Sequence, residues 1–411
     1  MSFDAPAAKG HRAQSDVSWW LLCAGTTSIT WMGLRVTANT TLSDILLIVS
    51  VLCAGPQVVY RSILKIPSVV VLPIAVLLLL EVLGMRDQPS RFMGVRMSVA
   101  LLLCILATMP VAHDVDRRRT LTHLYCYGAA ASGAVATLSR VTGVYFRPPG
   151  LLPEFPGREV GLTLHPNHLG LTCLLGLAAA AFSGVAAGQR LLRAGVLLAL
   201  AGGVVVSGSR ASLLGAFAVG LAALWTSSRK RRPELIAGLL FAASVGVVFG
   251  TGSIVRLSAL DRLFSVSNEA SLNVAVSDSE RLSYALESLD VFARSPIIGS
   301  GLDQLRLAHN LYLQVIACGG ILLLLALLPM FVRVLGVGRH HFSGRIDPNA
   351  ASVAAWLVAA LFMNSIFDRY LYLLFALALF GPYWGSSIRA SVTEDGGRID
   401  NRHGALAGGF A

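Results

Sequence analysis

The sequence predicts an all-α, polytopic membrane protein with about 12 transmembrane helices and a long outer loop containing amphipathic helices. Three observations carry this. Of the 411 residues, 55% are hydrophobic and only 13% are charged, whereas soluble globular chains carry about 25% charged residues. Mean hydropathy is +0.68. The apolar residues fall into discrete runs separated by short basic segments.

The runs lie near 19–34, 42–56, 68–84, 95–112, 121–139, 165–184, 191–207, 210–226, 235–252, 310–332, 351–366 and 369–386. Several are shorter than the ~20 residues an untilted span needs. The first 16 residues, MSFDAPAAKGHRAQSD, are too polar for a signal peptide, so the run from Trp19 is expected to remain as a span.

An even number of spans puts both termini on one side. With the N-terminus cytoplasmic, seven inside segments hold 19 of the 33 Lys and Arg residues, and all three lysines. That bias sets the orientation. The 14 outside residues are all arginine, and five of them lie in segment 253–309, which is too long for the charge rule to act strongly. Arginine without lysine suggests use of the planar fork, which binds phosphate bidentately.

The expected organisation is a cytoplasmic tail (1–18), N-terminal transmembrane helices (19–160), a core (161–335) that includes outer loop 253–309, C-terminal transmembrane helices (336–386) and a disordered cytoplasmic tail (387–411).

Net charge is +11, but the basic residues are dispersed. That argues against a nucleic-acid partner. The six cysteines all lie in apolar runs, without C-x-x-C or Cys/His ligand spacing, so neither a disulfide framework nor a metal site is expected. No P-loop, G-x-S-x-G or H-E-x-x-H is present, and no cofactor is implied.

The most informative stretch is Glu280–Gln314. Ser277 and Glu280 have capping-box spacing and predict a helix start near Ser277. Leu282, Ala285, Leu286 and Leu289 give that helix one apolar face. Pro296 stops it, and Gly299 and Gly301 permit a tight turn. His309 and Asn310 then stand at the mouth of the next run. Upstream, Ser265–Ser279 is rich in Ser and Asn and is expected to be mobile. Arg140–Thr163, with four prolines and four glycines, reads as a shaped outer loop.

Three blocks in order resemble the bacterial O-antigen ligase and O-antigen polymerase superfamily. They are Gly161–Gly170, containing His165-Pro166-Asn167-His168; Ser207–Gly215, containing Arg210; and Arg281 through Pro296–Gly301 to His309-Asn310 and Gln314. The resemblance covers about residues 160–335. Ligases of this superfamily carry His-[Asn/Ser/Gln], nine residues, then Gly-x-x-[Gly/Thr/Tyr]. Here nine residues separate His309-Asn310 from Gly320, but the closing position is Leu323. Ligase and polymerase therefore both stay open.

The resemblance implies a glycosyltransferase, independent of metal and ATP, in the bacterial inner membrane. Its donor would be a glycan on undecaprenyl pyrophosphate, and its acceptor a lipid- or glycan-type hydroxyl on the outer face. His309 would be the catalytic base. Arg210, Arg281, Asn310, Arg158, His165 and Asn167 are the candidate substrate-binding residues. All but Arg158 have a plainer reading of their own. Arg210 and Arg281 could snorkel at the interface, His309 could cap a helix, Asn310 could orient His309 or the backbone, and His165 and Asn167 could simply start a helix. Asp44 and Glu81 could pair with nearby arginines, and Asp368 with Arg369. A transporter of lipid-linked sugars would need charge at span centres or an inverted repeat, and neither is evident. A non-catalytic assembly protein is also compatible with the sequence.

Overall fold

The computed structural model describes residues 7–37, 40–84, 92–111, 114–144, 158–186, 188–226, 268–302, 309–339, 346–363 and 368–380. These residues are helical apart from turns and one isolated bridge between Arg35 and Thr41. The helices are α1 (Ala7–Ser28), α2 (Leu42–Ala54), α3 (Pro56–Ile63), α4 (Ser68–Gly84), α5 (Met93–Thr108), α6 (Val115–Thr142), α7 (Pro166–Ser183), α8 (Arg190–Val206), α9 (Arg210–Thr226), α10 (Asn268–Arg294), α11 (Leu311–Arg339), α12 (Pro348–Ala359) and α13 (Arg369–Phe380).

Every expected span overlaps one of these helices except 235–252, which lies outside the described residues, as do 253–267 and 303–308 of the outer loop and all of tail 387–411. Among the described residues, Met93–Val111 and Leu311–Gly336 are long and apolar enough to cross a membrane. The α2–α3 pair, bent by 102°, makes a third if it counts as one span. Ser68–Gly84, Arg210–Thr226, Pro348–Ala359 and Arg369–Leu379 are shorter apolar helices.

Helix α1 begins at Ala7, so part of the expected N-terminal tail 1–18 is helical. One expectation about an element start needs correction. Helix α10 begins at Asn268, so Ser277 and Glu280 lie inside it rather than at a capping box, and most of the Ser/Asn-rich stretch is helical. Apolar residues at helical spacing also occur upstream of Leu282 and Leu286, at Leu272, Ala275 and Val276. That periodicity outweighs the local Ser/Asn composition.

Helix α7 is the centre of the bundle and packs on α6, α8, α9 and α12. Leu169, Leu171, Cys173, Leu174, Leu175 and Ala178–Ala180 are fully buried. Small residues let the backbones approach; a Cβ on Gly133 would stand 2.2 Å from Ala199 O. Helix α13 is buried from Tyr370 to Leu379, and its Phe375 packs with Phe331 and Trp356 at ring separations of 5.6–5.8 Å.

Polar contacts sort the helix ends into two groups. At one end Arg118, fully buried at the start of α6, pairs with Asp347, the N-cap of α12. Thr122 Oγ1 donates to Asn349 Oδ1 there at 3.1 Å. At the other end Arg369 Nη1 lies 2.7 Å from Asp44 Oδ2, Gly33 N donates to Leu162 O at 2.8 Å, and Leu311 N donates to Ala360 O at 2.9 Å.

Candidate active site

The site is built at the second of these ends. Helices α8 and α9 meet in a tight turn, Ser207-Gly208-Ser209. Gly208 has φ +64, and Ser209 N donates to Ser207 Oγ at 3.1 Å. Arg210 is the first residue of α9 directly behind this turn.

Arg158 is tied to the same turn. Its Nε donates to Ser207 O at 2.8 Å and its Nη2 to Asn167 Oδ1 at 2.6 Å. The neighbouring Glu159 is buried, with its N–H on Val206 O at 3.0 Å and its carboxylate 4.0 Å from Arg140. A guanidinium clamped by two partners on different elements keeps one orientation.

Asn167 sits in the first turn of α7. His165 caps that helix by accepting from Asn167 N through Nδ1 at 3.1 Å. The accepting nitrogen carries no proton, so the neutral ring holds its hydrogen on Nε2.

Arg281 comes from α10, far along the chain. It joins Arg158, Asn167 and Arg210 in lining one cavity of about 480 Å³. The remaining wall is largely apolar and includes Leu214, Leu282, Phe362 and Met363. None of the described lining residues is acidic. Three guanidiniums in a partly apolar pocket have the charge and surface that suit an anion attached to an apolar group.

His309 stands between α10 and α11. Its φ of +50 is in the left-handed region, a conformation that costs energy for a non-glycine residue and that clusters at functional sites. Its ring lies 6.3 Å from that of Tyr284, one turn past Arg281 on α10. Burial first, and then the Arg281 charge, hold its pKa below the ordinary histidine value, against the opposite pull of Glu280. The ring is therefore poised to be neutral near pH 7.

Asn310 is not in the cavity wall. Its Oδ1 accepts from Leu313 N at 3.1 Å and its Nδ2 donates to Leu361 O at 3.0 Å, which caps α11 and ties it to the end of α12. Of the candidate residues, Arg158, Asn167, Arg210 and Arg281 thus converge on the cavity. His165 and Asn310 shape the helix starts around it, and His309 flanks Arg281's helix.

Three features were not anticipated. Phe362 and Met363, just past α12, supply apolar wall that sequence gave no reason to single out. Asp368 does not pair with Arg369. Its Oδ1 lies 3.2 Å from His168 Nδ1 and its Oδ2 accepts from Tyr370 OH at 2.8 Å, while Arg369 turns to Asp44. Adjacent residues at a helix start do not face each other, so the local pair cannot form. Glu81 accepts from Gly94 N at 2.6 Å, at the start of α5.

Residues 195–328 match the O-antigen ligase family. The match covers about a third of the chain and makes this segment similar to the O-antigen ligase superfamily. No curated protein matches the chain. The matched segment contains Arg210, Arg281, His309 and Gly320, whereas Arg158, His165 and Asn167 precede it.

Proposed function

We propose that this chain is a membrane glycosyltransferase of the O-antigen ligase superfamily. It moves a glycan from an undecaprenyl-pyrophosphate carrier to an acceptor hydroxyl on the outer face of the bacterial inner membrane. The observation that carries this reading is the convergence of Arg158, Arg210 and Arg281 on one partly apolar cavity. A pyrophosphate on a prenyl chain has the matching chemistry, namely multiple negative charge beside hydrocarbon.

In the proposed reaction the acceptor oxygen attacks the anomeric carbon. The bond from that carbon to the pyrophosphate oxygen breaks, and its electron pair leaves with the carrier. His309 Nδ1 or Nε2 takes the hydroxyl proton as the new bond forms. The arginines stabilise the charge that grows on the leaving pyrophosphate. The basic-segment count supports both termini in the cytoplasm and the cavity outside.

A polymerase that extends the glycan itself is the second reading, favoured by Leu323 at the closing position of the ligase pattern. Deletion followed by glycan analysis separates them. Unattached lipid-linked polymer accumulating in the deletion strain means ligase; a collapse to single repeat units means polymerase. An unchanged glycan profile contradicts both.

A further inference from the structure

Helix α11 is broken at Gly320, where φ is +61 and ψ −163. In an unbroken helix Ile321 N would donate to Ala317 O and Leu322 N to Cys318 O. Here those four groups turn to residues 296–301. Ile321 N donates to Pro296 O at 2.9 Å and Leu322 N to Ile297 O at 3.1 Å. Ala317 O accepts from Ser300 N at 2.9 Å and Cys318 O from Gly301 N at 3.0 Å. Two intrahelical bonds are thus replaced by four bonds to an inserted strap. In an apolar span each of these groups would be costly to leave unpaired, so the strap and the break stabilise each other.

No side chain fits at the two closest points. A Cβ on Gly320 would stand 2.2 Å from Ile297 O, and one on Gly299 (φ +66) would stand 2.4 Å from Cys318 C. The strap is also continuous with α10. Ser295 N donates to Val291 O at 3.1 Å and Gly299 N to Ser295 O at 2.9 Å. Arg281 therefore rides on a lever whose pivot is the strap. It lies 13 residues before Arg294, or about 20 Å along the helix axis, so a swing of roughly 10° displaces it by about 3 Å.

We propose that the strap Pro296–Gly301, locked into the break of α11, is the positioning element of the site, and that Gly299 and Gly320 are positioning residues that set Arg281 and His309 against each other. This rests on the transfer reaction proposed above. Small misplacements of such groups cost rate: about 1 Å can be worth ~10²-fold. Arg158 and Arg210 do not ride on α10, so the donor retains anchors when the strap is displaced.

The test uses the full chain, purified, with lipid-linked glycan donor. Gly299→Ala and Gly320→Ala should lower kcat by about 10²-fold or more while KM for the donor changes by only a few-fold. Spin labels at Leu286→Cys on α10 and Val144→Cys after α6, both on exposed residues, should report a shifted or broadened distance in the same variants, in a Cys53→Ser background. Gly336→Ala, on the same helix but in open space, should change neither readout. Wild-type kcat and an unshifted distance in the two strap variants would overturn the proposal, and so would a rate loss with the distance unmoved. If an alanine variant does not fold, Gly301→Ala offers a milder displacement, since its Cβ meets only Gly84 Cα at 3.7 Å although φ is +96. Intermediate loss of rate with a smaller shift supports the proposal; wild-type values reject it. A wild-type protein that transfers no glycan refutes the functional reading, and the distance shift alone then decides whether the strap positions α10.

Discussion

Arg158 Nη2 donates to Asn167 Oδ1 at 2.6 Å, which fixes a loop arginine to the first turn of the central helix α7. The same guanidinium holds Ser207 O at 2.8 Å, so three chain segments meet at one side chain before any ligand enters. The cavity is therefore organised in advance, and the consequences can be measured.

Arg158→Lys keeps the charge but cannot hold both partners, and should weaken donor binding by roughly 10-fold or more, the scale of one charge-assisted hydrogen bond. Asn167→Ala should give a milder loss of the same sign. Arg210→Ala and Arg281→Ala should each impair donor binding or transfer more than their lysine counterparts. Titration of purified variants with lipid-linked donor checks the order.

Asn310→Ala removes the cap of α11 and should cost about 1 kcal/mol of stability. Thermal unfolding in detergent should fall while donor affinity stays close to wild type. A large affinity loss at unchanged stability would mean that Asn310 contacts the donor instead.

Activity should fall as pH drops, because a base must be unprotonated to accept a proton. Burial and the Arg281 charge place the His309 pKa below the ordinary value, so wild-type activity should persist to pH values below that value before it declines. Arg281→Ala removes one of the lowering influences. The acid limb of kcat should then move to higher pH, whatever happens to donor affinity. A limb that moves to lower pH, or stays in place, contradicts the electrostatic coupling of the two residues.

Asp347→Ala should destabilise by about 3–5 kcal/mol, since it leaves the buried Arg118 without its carboxylate and removes the cap on α12, where Asp347 accepts from Asn349 N and Ala350 N. The loss should appear in unfolding experiments and not in donor affinity, because this pair lies at the end of the bundle away from the cavity.

The helices and several of the site residues were legible in the sequence because their signals are local. Apolar runs mark the helices, Pro296 ends α10, and glycines mark the turn at 299 and 301. What was not legible is long-range. Nothing local indicates that Arg158 would clamp Ser207 and Asn167, or that Arg369 would choose Asp44 over its neighbour Asp368. Asn310 had two readings, substrate binding and orienting His309 or the backbone, and its bonds to Leu313 N and Leu361 O match the backbone role. The nine-residue gap before Gly320 was visible as a pattern. Its physical meaning, a helix break filled by residues 296–301, needed the hydrogen bonds of two segments distant in sequence. The start of α10 was misplaced because Ser277 and Glu280 have capping-box spacing, although the helix runs through them from Asn268.

The most direct test of the account is the behaviour of His309→Ala with purified protein and lipid-linked donor. A single positioned base is worth ~10²–10⁴-fold in rate. The account predicts a loss of catalytic rate in that range with near-normal donor affinity, since Arg158, Arg210 and Arg281 are untouched. An affinity loss that fully accounts for the rate defect would contradict it, and His309 would then be a donor ligand rather than the base.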